Sequence, residues 1–296
     1  MIGVVNLDKP VGPTSHDMVG LLRRLTGMRR IGHAGTLDPL ASGVLPILVG
    51  AATRFSDELT GGAKRYEAVV RLGARSATDD GEGPIQPVDA PMPSREAIAA
   101  ALGAFQGTFD QRPPAFSARK LDGRTAYRAA RAGTPIDLPP RRVTVDRIDL
   151  LDVTPADGGT DARLDIRCGA GTYIRSIARD LGDALGCGGY LAALRRTEAA
   201  GLSAADAIDP TRLEALAGEG RLAEAIIAVG SLIPLPRLVL DADATWRFTH
   251  GSTGPAPDGS PEGRVAVHGP DGLLGIGHVA SGALQPDKVL PPGGEA

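Results

Sequence analysis

The sequence predicts a mixed α/β fold with a smaller β-rich region at its C-terminal end. Segments with alternating apolar residues are typical of strands, and segments with apolar residues at i, i+3, i+4 and i+7 are typical of amphipathic helices. The two kinds of segment follow one another irregularly, which favours an α+β or mixed α/β architecture over a regular βαβ winding. At 296 residues and 42% hydrophobic content, the chain can fill the core of one large domain with a small appendage.

The N-terminal segment predicts a strand followed by a helix. Residues 1–9 are largely apolar and indicate a strand. Thr14 or Ser15 can cap the helix that follows, and Gly27 ends it. The apolar residues of this helix have helical spacing: Met18, Leu21, Leu22 and Leu25.

The middle of the chain predicts further strands and two more helices. The strands are expected at residues 64–73, 142–153 and 162–168. In the first of them, Tyr66 belongs to the apolar face. Ser94 caps one helix, and Thr172 is expected to cap another over residues 172–186.

The last third of the chain predicts a change of structure near residue 232. Residues 207–229 are rich in alanine and helical in tendency, and residues 234–238 (PLPRL) indicate a hinge. Two strands are expected within residues 264–280, joined by a turn at Pro270–Gly272. These features predict two domains, a larger one over 1–231 and a small one over 232–296.

The distribution of charge is more informative than its total. The formal net charge is −3, which by itself argues weakly against a polyanionic partner. Residues 110–147, however, contain nine basic and four acidic residues, whereas the chain from residue 236 onward is acidic. The basic segment is either a solvated surface or a contact region for nucleic acid phosphates.

Several classes of protein are disfavoured by the composition. The two cysteines form no C-x-x-C pair and the five histidines show no ligand spacing, so neither a disulfide scaffold nor a zinc site is expected. We expect chemistry without a metal. No apolar run approaches the length of a membrane span, and the first residues do not resemble a signal peptide. A cytoplasmic protein is therefore expected.

One loop stands out as a candidate site. In GHAGTLDPLASGVLP, residues 32–46, the single carboxylate Asp38 is surrounded by glycines, prolines and small residues. Such a loop can form a local Asx turn, or it can hold one functional side chain rigidly. A carboxylate in a partly dry pocket needs a cation to stay ionised, and Arg175 near the start of a predicted helix is the best candidate.

These residues also carry a family resemblance. The loop at 32–46, LDKPVGPTSHD (7–17), KRYEAVVRLG (64–73), SARKLDGRTAYRAARAG (117–133) and GTYIRSIARDLGDALG (171–186) followed by LRR (194–196) together resemble the bacterial TruB family of tRNA pseudouridine synthases. The resemblance implies the pseudouridine synthase fold. This fold has a bent, mainly antiparallel central sheet flanked by helices, followed by a small β-rich PUA-like RNA-binding domain. It also implies isomerisation of uridine 55 in the T loop of tRNA without a metal or cofactor.

The resemblance assigns roles to particular residues. Asp38 corresponds to the catalytic carboxylate, Arg175 to its arginine partner, and Tyr66 to the tyrosine that stacks on the target base. Since the uridine must leave its stack to be reached, a residue must hold the flipped nucleotides, and His33 corresponds to it. Tyr173 and Leu194 correspond to residues that line the uracil pocket. Lys9 belongs to a family motif near the site, where it either contacts RNA or has a structural role.

The resemblance also gives the basic segment a function. Its arginines and lysine are expected to contact tRNA phosphates around the T stem-loop: Arg112, Arg119, Lys120, Arg124, Arg128, Arg141 and Arg142. We expect a monomer that needs no obligate protein partner. Three alternatives remain open, namely a guide-dependent synthase of the Cbf5 type, a non-catalytic tRNA-binding or folding module, and a glycosidase with an aspartate nucleophile.

Overall fold

The computed structural model describes residues 1–117, 119–121, 123–134 and 136–291. Its helices are Ser15–Thr26 (α1), Ser56–Thr60 (α2), Arg95–Leu102 (α3), Ala126–Arg131 (α4), Ile174–Ala184 (α5), Pro210–Gly218 (α6) and Ala242–Thr249 (α7). No described helix is both long enough and apolar enough to cross a membrane.

The strands account for much of the rest of the fold. They are Gly3–Lys9 (β1), Ile31–His33 (β2), Ala41–Val49 (β3), Lys64–Leu72 (β4), Ala74–Ser76 (β5), Ile85–Pro87 (β6), Gly107–Gln111 (β7), Lys120–Leu121 (β8), Arg124–Thr125 (β9), Arg141–Ala156 (β10), Gly159–Cys168 (β11), Gly189–Ala199 (β12), Leu202–Ser203 (β13), Arg237–Val239 (β14), Gly254–Pro255 (β15), Gly263–Gly269 (β16), Gly272–Ala280 (β17) and Ala283–Val289 (β18). The predicted mixed α/β architecture is confirmed.

By internal packing the chain divides into two compact units. The first unit contains residues 1–39, 43–62 and the chain from Ala199 onward, and the second contains residues 40–42 and 63–198. The first unit is therefore assembled from segments that are far apart in the sequence.

The first unit has a core built from both ends of the chain. β1 and β2 both pair antiparallel with β3, so that Gly3 and Ile31 lie opposite Val49. The other edge of β1 is bridged by Ile208 and Ile227. Buried residues from all these segments form one cluster, including Val4, Leu48, Phe55, Val229, Ile233, Ala266, Ile276 and Leu290.

Helix α1 begins and ends where the sequence predicts. Thr14 is its N-cap and forms a capping box with Asp17, and Gly27 closes the C-terminus in a left-handed conformation with φ 68°. Glycine suits this position because it has no Cβ to clash. Met18, Leu21 and Leu22 are buried as expected.

The second unit is organised around a sheet with the strand order β12-β4-β11-β10-β7. β4–β11, β11–β10 and β10–β7 are antiparallel pairs. β4 alternates as predicted, with Tyr66 and Leu72 among its buried residues. β10 and β11 are longer than predicted because they continue as one hairpin to the turn at residues 157–158, where a sequence rich in Asp, Pro and Gly does not signal strand.

Helix α5 is shorter at its start than the sequence suggests, and the expected cap at Thr172 is wrong. The N-cap is Tyr173, and the Thr172 hydroxyl instead donates to the Gly169 carbonyl at 3.1 Å. Later in the helix, Gly182 lies directly against the turn before β12. A Cβ at Gly182 would stand 2.1 Å from the Gly189 nitrogen, so the close packing of helix on strand requires glycine.

The C-terminal part of the first unit contains the expected β-rich region. Its five-stranded sheet has the order β14-β16-β17-β18-β15, and β16 and β17 form the predicted hairpin. Helix α7 was not predicted; it begins after the N-cap Asp241, and its Phe248 is buried on the sheet. Residues 207–229 contain the short α6 and a 3-10 helix at Leu222–Ala225, separated by a turn in which Gly220 has φ 72°.

A buried carboxylate ties this sheet to helix α2 within the first unit. The Glu58 side chain is 4% exposed and accepts hydrogen bonds from Arg264 at 2.7 Å and Lys288 at 3.0 Å. Burial acts to raise the pKa of Glu58, but the hydrogen bonds from both cations hold it below its ordinary value. The ionised carboxylate therefore stabilises the folded state.

We expect Glu58→Gln to lower the free energy of unfolding by about 2 kcal/mol at pH 7, because it weakens charge-assisted hydrogen bonds at a buried group. The pKa of Glu58 is lower in the folded chain, so its contribution is present above the unfolded pKa of 4.5 and lost as pH falls through the folded value. In urea unfolding, the difference in the free energy of unfolding between the variant and the wild type should be smaller at pH 3.5 than at pH 7. Glu224→Gln, at an exposed ion pair with Arg221, is the control; a pH-independent difference for Glu58→Gln would contradict the assignment.

Candidate active site

The loop between β2 and β3 presents Asp38 at the surface of the first unit. Asp38 is half-buried, whereas the preceding Leu37 is only 3% exposed. Gly35 has φ 95°, a conformation that favours glycine, and Pro39 restricts the chain on the other side of Asp38. The loop thus turns its apolar residue inward and leaves its carboxylate accessible.

Two buried polar side chains hold this loop in place. The Ser15 hydroxyl donates to the Leu37 carbonyl at 2.9 Å and accepts from the Leu37 amide at 2.8 Å. The Lys9 ammonium is fully buried and donates to the carbonyls of Pro10 and Pro13 at 2.8 Å and of Pro39 at 3.4 Å. These contacts of Lys9 fix the backbone next to Asp38. His33, at the end of β2, is half-buried and pairs with Ile47.

In the second unit, Arg175 lies in the first turn of α5 and is buried. Its guanidinium forms an ion pair with Asp80 at 3.4 Å and donates to the Thr78 carbonyl at 3.3 Å and the Phe116 carbonyl at 2.9 Å. The side chains of Arg175 and Asp80 are only 7% and 4% exposed. This guanidinium therefore has a fixed position and orientation.

A second ion pair lies one turn further along α5. Arg179 pairs with Asp79 at 2.8 Å and also donates to the Arg112 carbonyl at 3.0 Å. Asp79 adopts φ 61°, an uncommon conformation for a residue with a side chain. Burial raises the pKa of Asp79, although Arg179 and Arg175 act against this.

Sequence reasoning did not identify Asp79 and Asp80. The tandem aspartates follow Thr78 in a polar loop, where they resemble ordinary turn residues. The available signal is the spacing of Arg175 and Arg179: two arginines at i and i+4 on an otherwise apolar helix face require buried acidic partners.

Tyr66 and Leu194 lie on neighbouring strands of the second unit. Tyr66 on β4 is 7% exposed and Leu194 on β12 is 9% exposed. Lys64, two residues before Tyr66, is 8% exposed; burial and the nearby Arg196 lower the pKa of Lys64 to about 8. A buried lysine therefore lies two residues from Tyr66 on the same strand.

Tyr173 is held at the start of α5 by a buried glutamine that the sequence did not single out. Gln111, at the end of β7, accepts from the Tyr173 amide at 2.9 Å and donates to the Tyr173 carbonyl at 3.0 Å. The backbone of Tyr173 is thus fixed at both polar groups, while its side chain stays half-buried.

The predicted RNA-contacting residues occupy different environments. Arg141 is half-buried against Gly171, and its buried Nε has no hydrogen-bond partner within the described part of the chain. Arg119 and Arg142 are exposed. Lys120 lies in β8, but its side chain falls outside the described residues.

The structure gathers the predicted site residues into two groups, one in each unit. Lys9, His33 and Asp38 belong to the loop system of the first unit. The second unit contains the others: Tyr66, Arg119, Lys120, Arg141, Arg142, Tyr173, Arg175 and Leu194. Among the described residues, no group of three or more His, Cys, Asp or Glu side chains is arranged to hold a metal ion.

Comparison with known proteins gives a consistent result over the whole chain. Residues 23–174 match the TruB family pseudouridylate synthase (N terminal domain), and residues 175–245 match the tRNA pseudouridylate synthase B C-terminal domain. A protein from Ralstonia nicotianae named tRNA pseudouridine synthase B is 41% identical over 295 residues, covering 97% of this chain and 94% of the relative. One of the same name from Acaryochloris marina is 40% identical over 301 residues, covering 98% and 99%.

Solved structures with a similar fold include two assemblies. A chain from a crystal structure of a Cbf5-Nop10-Gar1 complex superimposes with a TM-score of 0.75 at 27% identity, covering 98% of this chain and 85% of that chain. A chain from the structure of an H/ACA RNP bound to a substrate RNA containing 2′-deoxyuridine gives a TM-score of 0.74 at 26% identity, with coverage of 98% and 85%.

Proposed function

The chain belongs to the TruB family of pseudouridylate synthases, and from this membership we propose that it isomerises uridine 55 in the T loop of tRNA to pseudouridine. The observation that carries the proposal is the Asp38 loop: a half-buried carboxylate on a backbone fixed by Ser15 and Lys9. Such a group can act on a sugar placed against it without rearranging the loop.

The reaction breaks the bond between uracil N1 and ribose C1′ and forms a bond between C5 and C1′. In one route the Asp38 carboxylate adds to C1′ as the N1–C1′ bond breaks, and is displaced when C5 attacks. In the other route it removes the 2′ proton, which gives a glycal, and returns that proton as C5 attacks. Both routes need Asp38 ionised at the start. Both end with loss of the C5 proton to solvent and uptake of a proton by the N1 atom that left the ribose.

We propose that Arg175 supplies the positive charge for Asp38. Its guanidinium is fixed by Asp80 and two carbonyls, so a second carboxylate would meet this positive charge in a defined direction. The negative charge of Asp80 offsets much of the positive charge of Arg175. The Arg175–Asp80 pair would therefore orient Asp38 without fully neutralising the charge of Asp38.

The remaining predicted residues are proposed to hold the extruded nucleotide. A stacked uridine has to leave the T loop before its ribose can meet Asp38. We assign His33 to contact with the flipped-out nucleotides, Tyr66 to stacking on the uracil, and Tyr173 and Leu194 to the walls of the pocket. Basic side chains would contact the flanking phosphates: Arg119, Lys120, Arg141 and Arg142. Residues 232–296 are proposed as a PUA-like RNA-binding region beside the catalytic residues 1–231.

We further propose that the protein acts alone, as a monomer in the cytoplasm. The relatives that match almost end to end at 40–41% identity are named tRNA pseudouridine synthase B, whereas the Cbf5-containing assemblies are more distant at 26–27%. A guide-dependent enzyme of that kind is the second candidate, and it predicts no turnover without added guide RNA and partners.

One assay separates these possibilities. Purified protein is incubated by itself with a T stem-loop RNA carrying tritium at uridine C5, and release of label and RNA mass are both followed. Release of tritium at unchanged RNA mass supports isomerisation by the protein alone. Retention of the label contradicts the proposal and favours a binding module or a guide-dependent enzyme, and release of free uracil favours a glycosidase.

A further inference from the structure

An open groove runs along helix α1 in the first unit, outside the predicted site. It has a volume of about 580 Å³ and is lined by Gly12, Pro13, His16, Asp17, Gly20 and Arg24, among others. The helix from Ser15 to Arg24 is about 14 Å long at 1.5 Å per residue. This length matches about four stacked nucleotides at about 3.4 Å per step.

The groove begins beside Asp38. Its rim residue Gly12 donates an amide hydrogen bond to the Pro39 carbonyl at 2.8 Å. Lys9 ties the neighbouring rim residue Pro13 to the same carbonyl, with distances of 2.8 and 3.4 Å. One end of the groove is therefore held at a fixed position next to the carboxylate that we propose to react.

Arg24 lies at the other end of the groove, within a basic stretch of the sequence. Residues 18–37 contain four arginines and no acidic residue. Arg23 donates to the Ile31 carbonyl at 3.1 Å and Arg30 to the Thr53 hydroxyl at 2.8 Å, whereas Arg24 and Arg29 are exposed. The cluster leads directly into β2 and His33.

The acidic residue in the groove is engaged at the start of the helix, about two turns from Arg24. The carboxylate of Asp17 accepts hydrogen bonds from the amide of Thr14 at 2.8 Å and its hydroxyl at 2.7 Å. These bonds lower the pKa of Asp17 and turn its charge toward the start of the helix. Glycines at positions 12 and 20 leave the wall without side chains, so that a ligand backbone can approach closely.

We propose that this groove binds the RNA strand next to the flipped uridine, with its phosphates on Arg24 and Arg29. The inference rests on the proposed function and extends it with a second contact region on the first unit, separate from the basic segment at 110–147. Charge favours a polyanion over a peptide, and the fixed junction with the Asp38 loop favours the strand that carries the reacting nucleotide.

The charge is tested with Arg24→Ala/Arg29→Ala, and binding of the T stem-loop RNA is titrated at several salt concentrations. Each lost phosphate contact lowers the slope of log K against log[salt] by about 0.7–0.9, so we expect a slope smaller by about 1.5 and an affinity about tenfold weaker at 0.1 M salt. The control Arg212→Ala/Arg221→Ala removes the same formal charge at exposed positions in and just after α6 and should leave both unchanged. Equal slopes for the Arg24/Arg29 variant and wild type would overturn the proposal.

The groove itself is tested with Gly20→Leu. A Cβ at Gly20 would meet only the Arg24 guanidinium at 3.9 Å, so the side chain fills the groove without straining the helix, and leucine favours helix. We expect weaker RNA binding and a higher KM, with kcat and the salt slope unchanged. Gly218→Leu in α6, where a Cβ meets no atom within 4 Å, is the matched control.

The outcomes separate this inference from the proposed function. Unchanged binding by Gly20→Leu, with wild-type tritium release intact, would overturn only the groove. Absence of tritium release from the wild type would overturn the proposed function, while the binding titrations would still report whether RNA occupies the groove. If the Arg24/Arg29 and Gly20 variants lost as much affinity for an acidic peptide as for the RNA, the groove would bind a protein ligand and the proposal would be contradicted.

Discussion

Asp38→Asn is expected to reduce isomerisation by at least about 10⁴-fold, because an amide can neither add to C1′ nor accept the 2′ proton at a useful rate. The variant should fold normally. Ser15 and Lys9 hold the backbone of the loop through Leu37 and Pro39, and asparagine has nearly the same shape as aspartate. RNA affinity should therefore stay within about threefold of the wild type, because the phosphate contacts that dominate binding are unaffected.

Single-turnover tritium release measures this loss, and RNA titration measures binding on the same preparations. Thr36→Ala, at an exposed position of the same loop, is the control for general damage to the loop and should retain most of the activity. Residual isomerisation by Asp38→Asn above about 1% of wild type would exclude Asp38 as the group that reacts with the ribose.

Arg175→Lys is expected to lower kcat by about 100-fold, which corresponds to about 2.7 kcal/mol, with little change in KM. The arginine fork reaches Asp80 and the carbonyls of Thr78 and Phe116 together. A lysine ammonium cannot satisfy all three directions and also serve as the proposed partner of Asp38. Asp80→Asn should act in the same direction, because it removes the charge that fixes the guanidinium.

Arg179→Lys is the matched control for this prediction. It removes an arginine fork one turn along the same helix, where the partner is Asp79, and should lower thermal stability but leave kcat within about threefold. If Arg175→Lys and Arg179→Lys reduce kcat equally, the effect of Arg175 is structural and the assignment as the partner of Asp38 fails.

Much of this fold could be predicted because local signals and tertiary packing agree. Thr14 and Gly27 bound α1 by cap chemistry alone, and the alternation around Tyr66 gives both the strand and its buried face. The failures have physical causes as well. Thr172 has the residue type of a cap, but its hydroxyl bonds to Gly169 within the preceding turn. Helix α7 is too short to give a clear periodic signal.

The candidate site could be predicted only in part, because the residues that fix its functional groups are distant from them in the sequence. Asp38 is marked by the unusual loop around it, and a family resemblance adds Tyr66, His33 and Arg175. The residues that fix these groups lie far from them in sequence: Asp80 is 95 positions before Arg175, and Gln111 is 62 positions before Tyr173. One sequence does not reveal such pairings, because each member resembles an ordinary turn or strand residue by itself.

The assembly of the first unit from both ends of the chain has a consequence during synthesis. Leu48 emerges from the ribosome early, yet the cluster that buries it includes Leu290. At about 5–20 residues per second, translation of the intervening segment takes roughly 10 to 50 s. Throughout that delay Leu48 lacks the C-terminal apolar residues that cover it in the folded chain, so the core behind the Asp38 loop is complete only once nearly the whole polypeptide has been made.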